Sequence, residues 1–175
     1  MDEYEFSDTS IDTFQMFYDW MYTGDALSGK APVGTLAVDL FLFADFYDIL
    51  DLTNVALDMY FSSYIEKLHV DWSLINTIYK ETWNDYKMRG LAVDLFVETD
   101  DFDDFEKTVV RKDIRRDVVV DVFKTHRKNS FTLGEPICAK MGKATWVDMT
   151  KDHFCEEYHY HDGLVTNDTA SEAIY

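Results

Sequence analysis

The chain has 175 residues, 47% of them hydrophobic and 16% aromatic, which is enough apolar material for a substantial core. Its formal net charge is −18, from 34 acidic and 16 basic residues. This charge disfavours nucleic acids and anionic membranes as partners, because both are themselves negatively charged.

Cysteine usage and hydropathy favour an intracellular protein. Two cysteines, Cys138 and Cys155, do not make a disulfide framework. Acidic residues follow Met1 where a secretory signal would be apolar, and the longest nearly uncharged stretch, Leu40 to Ala44, is far too short to span a bilayer. We expect a protein of the cytoplasm or nucleus with no membrane partner.

The basic residues are concentrated in one segment. Residues 107–128 contain eight basic and three acidic side chains, a net charge of +5, so the rest of the chain carries −23. Between Asp113 and Lys128 the two signs are interspersed, which is typical of ion pairs on a helix surface. We predict a helix over 113–128, although the run Val118 to Val120 would also suit a strand.

A helix of unusually apolar character is predicted near the start of the chain, from Thr13 to Gly24. Ser10 is placed to cap it, Asp12 adds negative charge where the helix dipole favours it, and Gly24 is typical of a helix end. Asp19 is its only charged residue. A helix that is apolar almost all round is normally buried.

The apolar residues of this first helix form two faces. Met16 and Trp20 lie four residues apart on one of them. The other has the i, i+3, i+4, i+7 spacing of one helical face and consists of Phe14, Phe17, Tyr18 and Met21. We therefore expect other elements to surround this helix in a complete fold.

Four more helices with short connections are predicted before residue 100. Their expected ranges are 36–47, 52–67, 72–83 and 87–98, and the residues placed to cap the first three are Thr35, Asp51 and Asp71. The last should bury a stripe of Met88, Leu91, Ala92, Leu95 and Phe96. Before residue 100 only residues 1–8 suit a short edge strand, so we predict a mainly α fold, a helical array with little or no sheet. Beyond Asn129 we expect irregular chain, which becomes disordered after His161.

A match to the phosphate-binding loop is interpreted as an ordinary connection. Gly24 to Lys30 fits G-x-x-x-x-G-K, but Ala31 replaces the magnesium-binding hydroxyl, and a helix precedes the loop where a strand is required. The sequence also lacks the signatures of serine hydrolases and zinc peptidases. We predict no catalytic residue, no cofactor and no enzyme activity.

Five residues near the end of the chain are of types that bind zinc: Cys138, His153, Cys155, His159 and His161. Cys155 and His159 are one helical turn apart, but Cys138 would have to fold back to join them. We favour surface histidines beside docking tyrosines and predict no bound metal, with a zinc site as the alternative.

An acidic segment precedes the basic one. Residues 98–106 include six acids, with Phe102 and Phe105 three residues apart. We interpret this segment as a solvated turn that leads into the basic helix, with an acidic-aromatic docking segment as the alternative.

Two stretches of the chain resemble BTB/POZ domains of the fungal type. Phe14 to Gly24 fits their helix pattern F-x-x-F-x-x-W-x-Y-T-G, and Ala44 to Asn54 fits A-D-x-Y-x-I-x-x-L-x-N with its order and spacing intact. Leu50 stands where these domains usually have proline.

Weaker likenesses follow further along the chain. Ile78-Tyr79, Thr82 and Arg89 to Asp94 are similar to the helical extension after those domains. Cys155 to His161 is similar to a C-x-Y-H-x-H ending of the family, with one extra residue.

The resemblance implies the C-terminal half of a protein-interaction domain. Residues 1–67 would be its last strand and C-terminal helices, 68–130 a helical extension, and 131–175 an irregular, partly disordered end. In the family, the preceding part holds the dimerisation surfaces and much of the helix that contacts cullin scaffolds. The resemblance therefore implies weak or no cullin binding by this chain alone.

We predict a non-catalytic protein–protein interaction module, in the family's terms a scaffold or the remnant of a ubiquitin-ligase adaptor. A protein partner or a second copy would bind the apolar helix around Phe14, Phe17, Trp20 and Met21. Helices two and three are expected to cover one side of it, leaving Met16 and Trp20 at the centre of self-association. The alternatives are a small metal-binding protein that uses the C-terminal Cys and His residues, and a degenerate fragment without a partner.

Overall fold

The computed structural model describes residues 9–68, 71–83, 86–99, 114–129 and 137–161. Within these ranges the chain forms helices and no strand, so the predicted mainly α fold is confirmed. The short strand expected in residues 1–8 and the disorder expected after His161 lie outside the described residues. The helices are α1 (Ile11–Thr23), α2 (Gly34–Phe46), α3 (Leu50–Lys67), α4 (Trp72–Glu81), α5 (Lys87–Thr99), α6 (Arg116–Asn129), α7 (Ile137–Met141) and α8 (Lys143–Tyr158).

The ends of α1 are formed by the residues that the sequence indicated. The Ser10 hydroxyl accepts a hydrogen bond from the Thr13 backbone N–H at 3.1 Å, and Asp12 lies in the first turn. Gly24 follows the helix with a φ of 76°, a left-handed conformation that costs glycine little, and its N–H donates to the Trp20 carbonyl.

The start of α2 differs from the prediction. The helix begins at Gly34, after an extended Val33, so Thr35 lies inside the first turn and its predicted role as a cap is wrong. Packing against α4 favours glycine at this first position. A Cβ atom at Gly34 would lie 3.2 Å from Leu74 Cδ2 on α4, so the absence of a side chain at Gly34 lets the two helices approach.

The start of α3 also differs from the prediction, by two residues. It begins at Leu50, directly after a reversal in which Asp48 has a positive φ of 56° and the Ile49 N–H donates to the Ala44 carbonyl at 2.8 Å. Asp51 is therefore in the first turn, and its predicted role as the cap is wrong. Its charge still lies near the positive end of the helix dipole.

α4 and α5 follow the predicted pattern closely. The Asp71 carboxylate caps α4 by accepting from the backbone N–H groups of Ser73 and Leu74, at 3.0 and 3.3 Å. α4 ends at Glu81, two residues before the predicted end. All five residues of the predicted α5 stripe are at most 2% exposed, so that prediction is confirmed.

The described part of the basic segment forms a helix from residue 116 onwards, α6, rather than the alternative strand. One ion pair of the expected kind lies on it, and a second joins it to the residue before its start. Arg115 Nη2 is 3.0 Å from Asp117 Oδ2, and Lys124 Nζ is 3.1 Å from Asp121 Oδ1. Acidic side chains thus partly offset the positive charge of this helix.

Two helices near the end of the chain contradict the prediction of irregular structure. α7 and α8 are separated by Gly142, which has a φ of 84°. In α8, Trp146, Phe154 and Tyr158 are buried and lie on one stripe, because multiples of four residues separate them. The prediction for 131–175 is therefore wrong over residues 137–158. The remaining position of the stripe, between Trp146 and Phe154, is polar Thr150, and this weakens the apolar pattern in the sequence.

α5 is at the centre of the described fold. It packs against α4, α6, α7 and α8, while α2 packs against α1, α3 and α4, and α8 also contacts α3. α1 and α6 consequently rest on different neighbours. Among the helices of the described ranges, none combines the length and the apolar character needed to cross a membrane.

Candidate functional site

The outward side of α1 exposes five large apolar side chains. Because successive residues are about 100° apart around a helix, the five lie within an arc of about 100°. We call this surface the α1 face, and apolar surface grouped in this way marks interaction sites more often than scattered apolar residues do. The exposed fractions are 88% for Ile11, 40% for Phe14, 46% for Tyr18, 51% for Met21 and 68% for Tyr22.

The opposite side of α1 is the buried one, which reverses the predicted orientation. Thr13 and Met16 are buried and Trp20 is half-buried. The expectation that Met16 and Trp20 lie at the centre of the exposed surface is therefore wrong, whereas Phe14 and Met21 of the expected binding residues are exposed. Thr13 can be buried because its hydroxyl lies 2.8 Å from that of Ser10, and this small residue lets α1 pack closely on its inner side.

A row of aromatic rings connects the α1 face with the end of α2. The ring centroids of Phe14 and Phe17 are 6.1 Å apart, and those of Phe17 and Phe43 are 5.2 Å apart. Phe43 lies 4.7 Å from Tyr47, which in turn lies 5.0 Å from Phe46. Phe46 is 79% exposed, so the row leads from the α1 face through buried Phe43 to a second exposed ring at the end of α2.

The region that carries this surface is strongly acidic. Residues 11–51 contain seven aspartates and a single basic residue, Lys30, so their net charge is −6. A partner with basic groups around an apolar centre would match such a surface. The aspartates are Asp12, Asp19, Asp25, Asp39, Asp45, Asp48 and Asp51.

A second exposed face lies on α6, and the sequence analysis missed it. Val120 and Phe123 are 42% and 49% exposed, and they share one side of the helix with Arg116, Lys124 and Arg127. We call these five residues the α6 face. The spacing of these residues, three, four or seven positions apart, is a signal that could have revealed the face. Buried Val118 and Val122 have the same apolar character, however, so the sequence does not show which side is exposed.

The second stretch of the family resemblance makes internal contacts. Asp45 Oδ2 accepts a hydrogen bond from the Tyr86 hydroxyl at 2.8 Å. The Asn54 side chain bonds both backbone groups of Tyr160, and the Tyr160 hydroxyl accepts from the Lys87 N–H at 3.2 Å. Asp45 therefore joins α2 to the residue before α5, while Asn54 and Lys87 join α3 and α5 to the segment after α8.

The resemblance in the helical extension centres on a buried arginine. Arg89 is 5% exposed and its guanidinium lies 4.4 Å from the centroid of the Tyr79 ring. It donates to the Thr82 hydroxyl at 2.9 Å, to the Tyr79 carbonyl at 2.7 Å and to the Thr82 carbonyl. Arg89 thus satisfies carbonyl groups at the end of α4, a structural role.

Two half-buried carboxylates of α5 face α8. Asp94 Oδ2 accepts from the Tyr158 hydroxyl at 2.8 Å, and Glu98 Oε2 accepts from Trp146 Nε1 at 2.9 Å. Burial raises the pKa of both carboxyls, and it also raises the pKa of Tyr158. The hydrogen bonds oppose the shift of the acids without cancelling it. These pairs hold α8 on α5.

The zinc-type residues are not gathered into one site. Cys155 Sγ lies 3.7 Å from His161 Nε2, while His159 Nε2 lies 3.0 Å from Asp58 Oδ1 on α3. Cys138 is buried on α7, where burial raises the pKa of its thiol, and His153 is exposed on α8. Across the described ranges, no three His, Cys, Asp or Glu side chains are grouped so that they could hold a metal ion.

The remaining motifs have simpler places. Gly24 to Lys30 lies in the connection between α1 and α2, where Asp25 Oδ1 accepts from the Leu27 N–H at 2.9 Å. It follows a helix, so it lacks the strand that a phosphate-binding loop requires. Of the acidic segment 98–106, residues 100–106 lie outside the described residues, and so does the docking alternative.

Comparison of the chain with models of protein families, with curated proteins and with solved structures finds no match. The BTB/POZ resemblance therefore rests on the residues quoted above.

Proposed function

We propose that this protein is a non-catalytic protein–protein interaction module that binds its partner through the α1 face. The observation that carries this proposal is the exposure of five large apolar side chains on one side of a single helix. Full burial of one such side chain is worth about 1.5–3 kcal/mol. A partner that covers the face therefore gains considerable binding free energy.

The internal contacts of the fold support this assignment. Asn54, Arg89 and Asp94 join the helices through hydrogen bonds that do not involve the α1 face. The exposed side chains of the face are not among these contacts. Their apolar character is better explained by binding.

The family resemblance supports the same function. Phe14 and Tyr22, two positions of the BTB/POZ helix pattern, lie on the α1 face. We extend the role of such domains to this chain as part of the proposal, namely that of a scaffold or a derivative of a ubiquitin-ligase adaptor. Both described cysteines are free thiols, in keeping with a reducing compartment such as the cytoplasm or nucleus.

Affinity capture with matched variants tests the proposal. We expect the double variant Tyr18→Ser, Met21→Ser to recover its partner at least about tenfold less well than the wild type. A loss of about 1.4 kcal/mol of binding free energy already lowers the affinity tenfold. The control is Trp83→Ser, because Trp83 is 79% exposed but lies outside the α1 face. Equal recovery by the double variant and the control would overturn the proposal, provided that circular dichroism shows the same helix content.

A further inference from the structure

We infer that the α1 face binds the α6 face of a second copy of this chain, so that copies associate head to tail. This inference rests on the proposed function and names the partner.

The two faces are complementary in charge. The region of the α1 face, residues 11–51, has a net charge of −6, whereas residues 114–129 around the α6 face carry five basic and two acidic side chains, a net +3. Opposite charges at the rim of an interface speed the encounter and fix its register. Pairing two α1 faces would instead bring two strongly acidic regions together, which costs free energy.

The two faces also match in chemistry and size. Each is a single helix side with exposed aromatic and aliphatic groups. On the α1 face the Tyr18 and Tyr22 rings lie 4.5 Å apart, and on the α6 face Phe123 and Val120 lie between the basic residues. α1 has 13 residues and α6 has 14, so both are about 20 Å long.

The position of the faces determines the kind of assembly. α1 packs on α2, whereas α6 packs on α4 and α5, so one copy presents its two faces on different helices with different neighbours. A contact between unlike surfaces leaves an α1 face at one end and an α6 face at the other, which allows a ring or an open chain. A standard interface buries about 800 Å² per partner, and a contact made by one pair of helices is smaller, so the association should be weak. Because the rims carry opposite charges, it should also be sensitive to salt.

Sedimentation velocity of the full chain, with variants mixed in pairs, tests the inference. The variants are Tyr18→Glu, which disables the α1 face, and Phe123→Glu, which disables the α6 face. Wild-type chain should rise above 20.5 kDa as its concentration increases and return towards it in high salt. Each variant alone should stay at 20.5 kDa, while their equimolar mixture should form a dimer, because each supplies the face that the other lacks. Trp83→Glu, the matched control, should associate like the wild type.

The outcomes separate this inference from the proposed function. Association of Phe123→Glu alone, or a wild type that stays monomeric while a different protein is captured through the α1 face, would overturn the inference and leave the proposed function standing. If Tyr18→Glu alters neither self-association nor the capture of any partner, both fail.

Discussion

Asn54 on α3 and Tyr160 after α8 exchange two hydrogen bonds across 106 residues of sequence. Asn54 Nδ2 donates to the Tyr160 carbonyl at 2.9 Å, and the Tyr160 N–H donates to Asn54 Oδ1 at 2.8 Å. The Asn54 amide thereby satisfies both backbone groups of a residue that lies outside any helix. This pair ties the end of the described chain to its first half.

The Asn54 pair should contribute measurably to stability. We expect Asn54→Ala to lower the free energy of unfolding by about 1–3 kcal/mol, because it leaves partly buried backbone groups without their partners. Asn54→Asp keeps the acceptor and loses the donor, so its stability should fall between those of Asn54→Ala and the wild type. Urea unfolding checks both, and an Asn54→Ala variant as stable as the wild type would contradict the account.

The core position of Trp146 predicts a larger effect. Trp146 is fully buried on α8, near Phe61, and its indole N–H is bonded to Glu98. Trp146→Ala should cost about 3–5 kcal/mol, since it opens a cavity and removes the donor to a half-buried carboxylate. Met149→Ala, at a residue of the same helix that is 40% exposed, is the control and should have little effect. Thermal unfolding measures the two, and similar melting temperatures would show that α8 does not belong to the core.

The half-buried carboxylates of α5 predict how stability depends on pH. Burial raises the pKa of Asp94 and Glu98 in the folded chain above their unfolded values. Their contribution to stability is therefore fully present below the unfolded pKa and is lost as the pH rises through the folded pKa. Asp94→Asn removes one of the two charges and keeps an oxygen that accepts from Tyr158.

We accordingly expect Asp94→Asn to be more stable than the wild type at neutral pH and to lose less stability between mildly acidic and neutral pH. Urea unfolding across this range measures the difference. Asp148→Asn, at an exposed residue of α8, is the control and should follow the wild type. If Asp94→Asn showed the same pH dependence as the wild type, the loss of stability at neutral pH would not come from the Asp94 charge.

The arrangement of Cys155 and His161 predicts that zinc is not a resident ligand. Structural zinc sites use four protein ligands. Cys155 and His161 lie 3.7 Å apart, and among the described residues no third His, Cys, Asp or Glu joins them in a possible metal site. The zinc content of protein purified without added metal should be far below one ion per chain. Stoichiometric zinc that disappears in Cys155→Ser and His159→Ala would show that this prediction is wrong.

Local chemistry explains which features the sequence could predict. The caps Ser10 and Asp71 act on backbone groups two or three residues away, and the α5 stripe places apolar residues on one side and leaves Asp94 beside it. The orientation of α1 is different, because both of its sides are apolar. Periodicity does not choose between Met16 and Phe14 when both are large and apolar, so packing on α2 decides.

Long-range packing explains the rest. In α8, at most one large apolar residue per turn is enough to bury the helix, because Trp146 and Tyr158 fill space beside α3 and α5. The sequence of α8 alone does not reveal that space. The Asn54–Tyr160 pair spans 106 residues and has no local signature. The α6 face is likewise hidden in the sequence, since exposed Val120 cannot be distinguished from buried Val118 before the position of α5 is known.

Site-specific photocrosslinking from α1 tests the central claim most directly. A photoreactive amino acid is placed at Tyr18 on the α1 face and, in a matched chain, at Trp83, which is more exposed but lies outside it. We predict adducts of discrete mass with a protein, a second copy included, from position 18 and none from position 83. The absence of any discrete adduct from position 18, or the same adducts from both positions, would contradict the claim that the α1 face is an interaction surface.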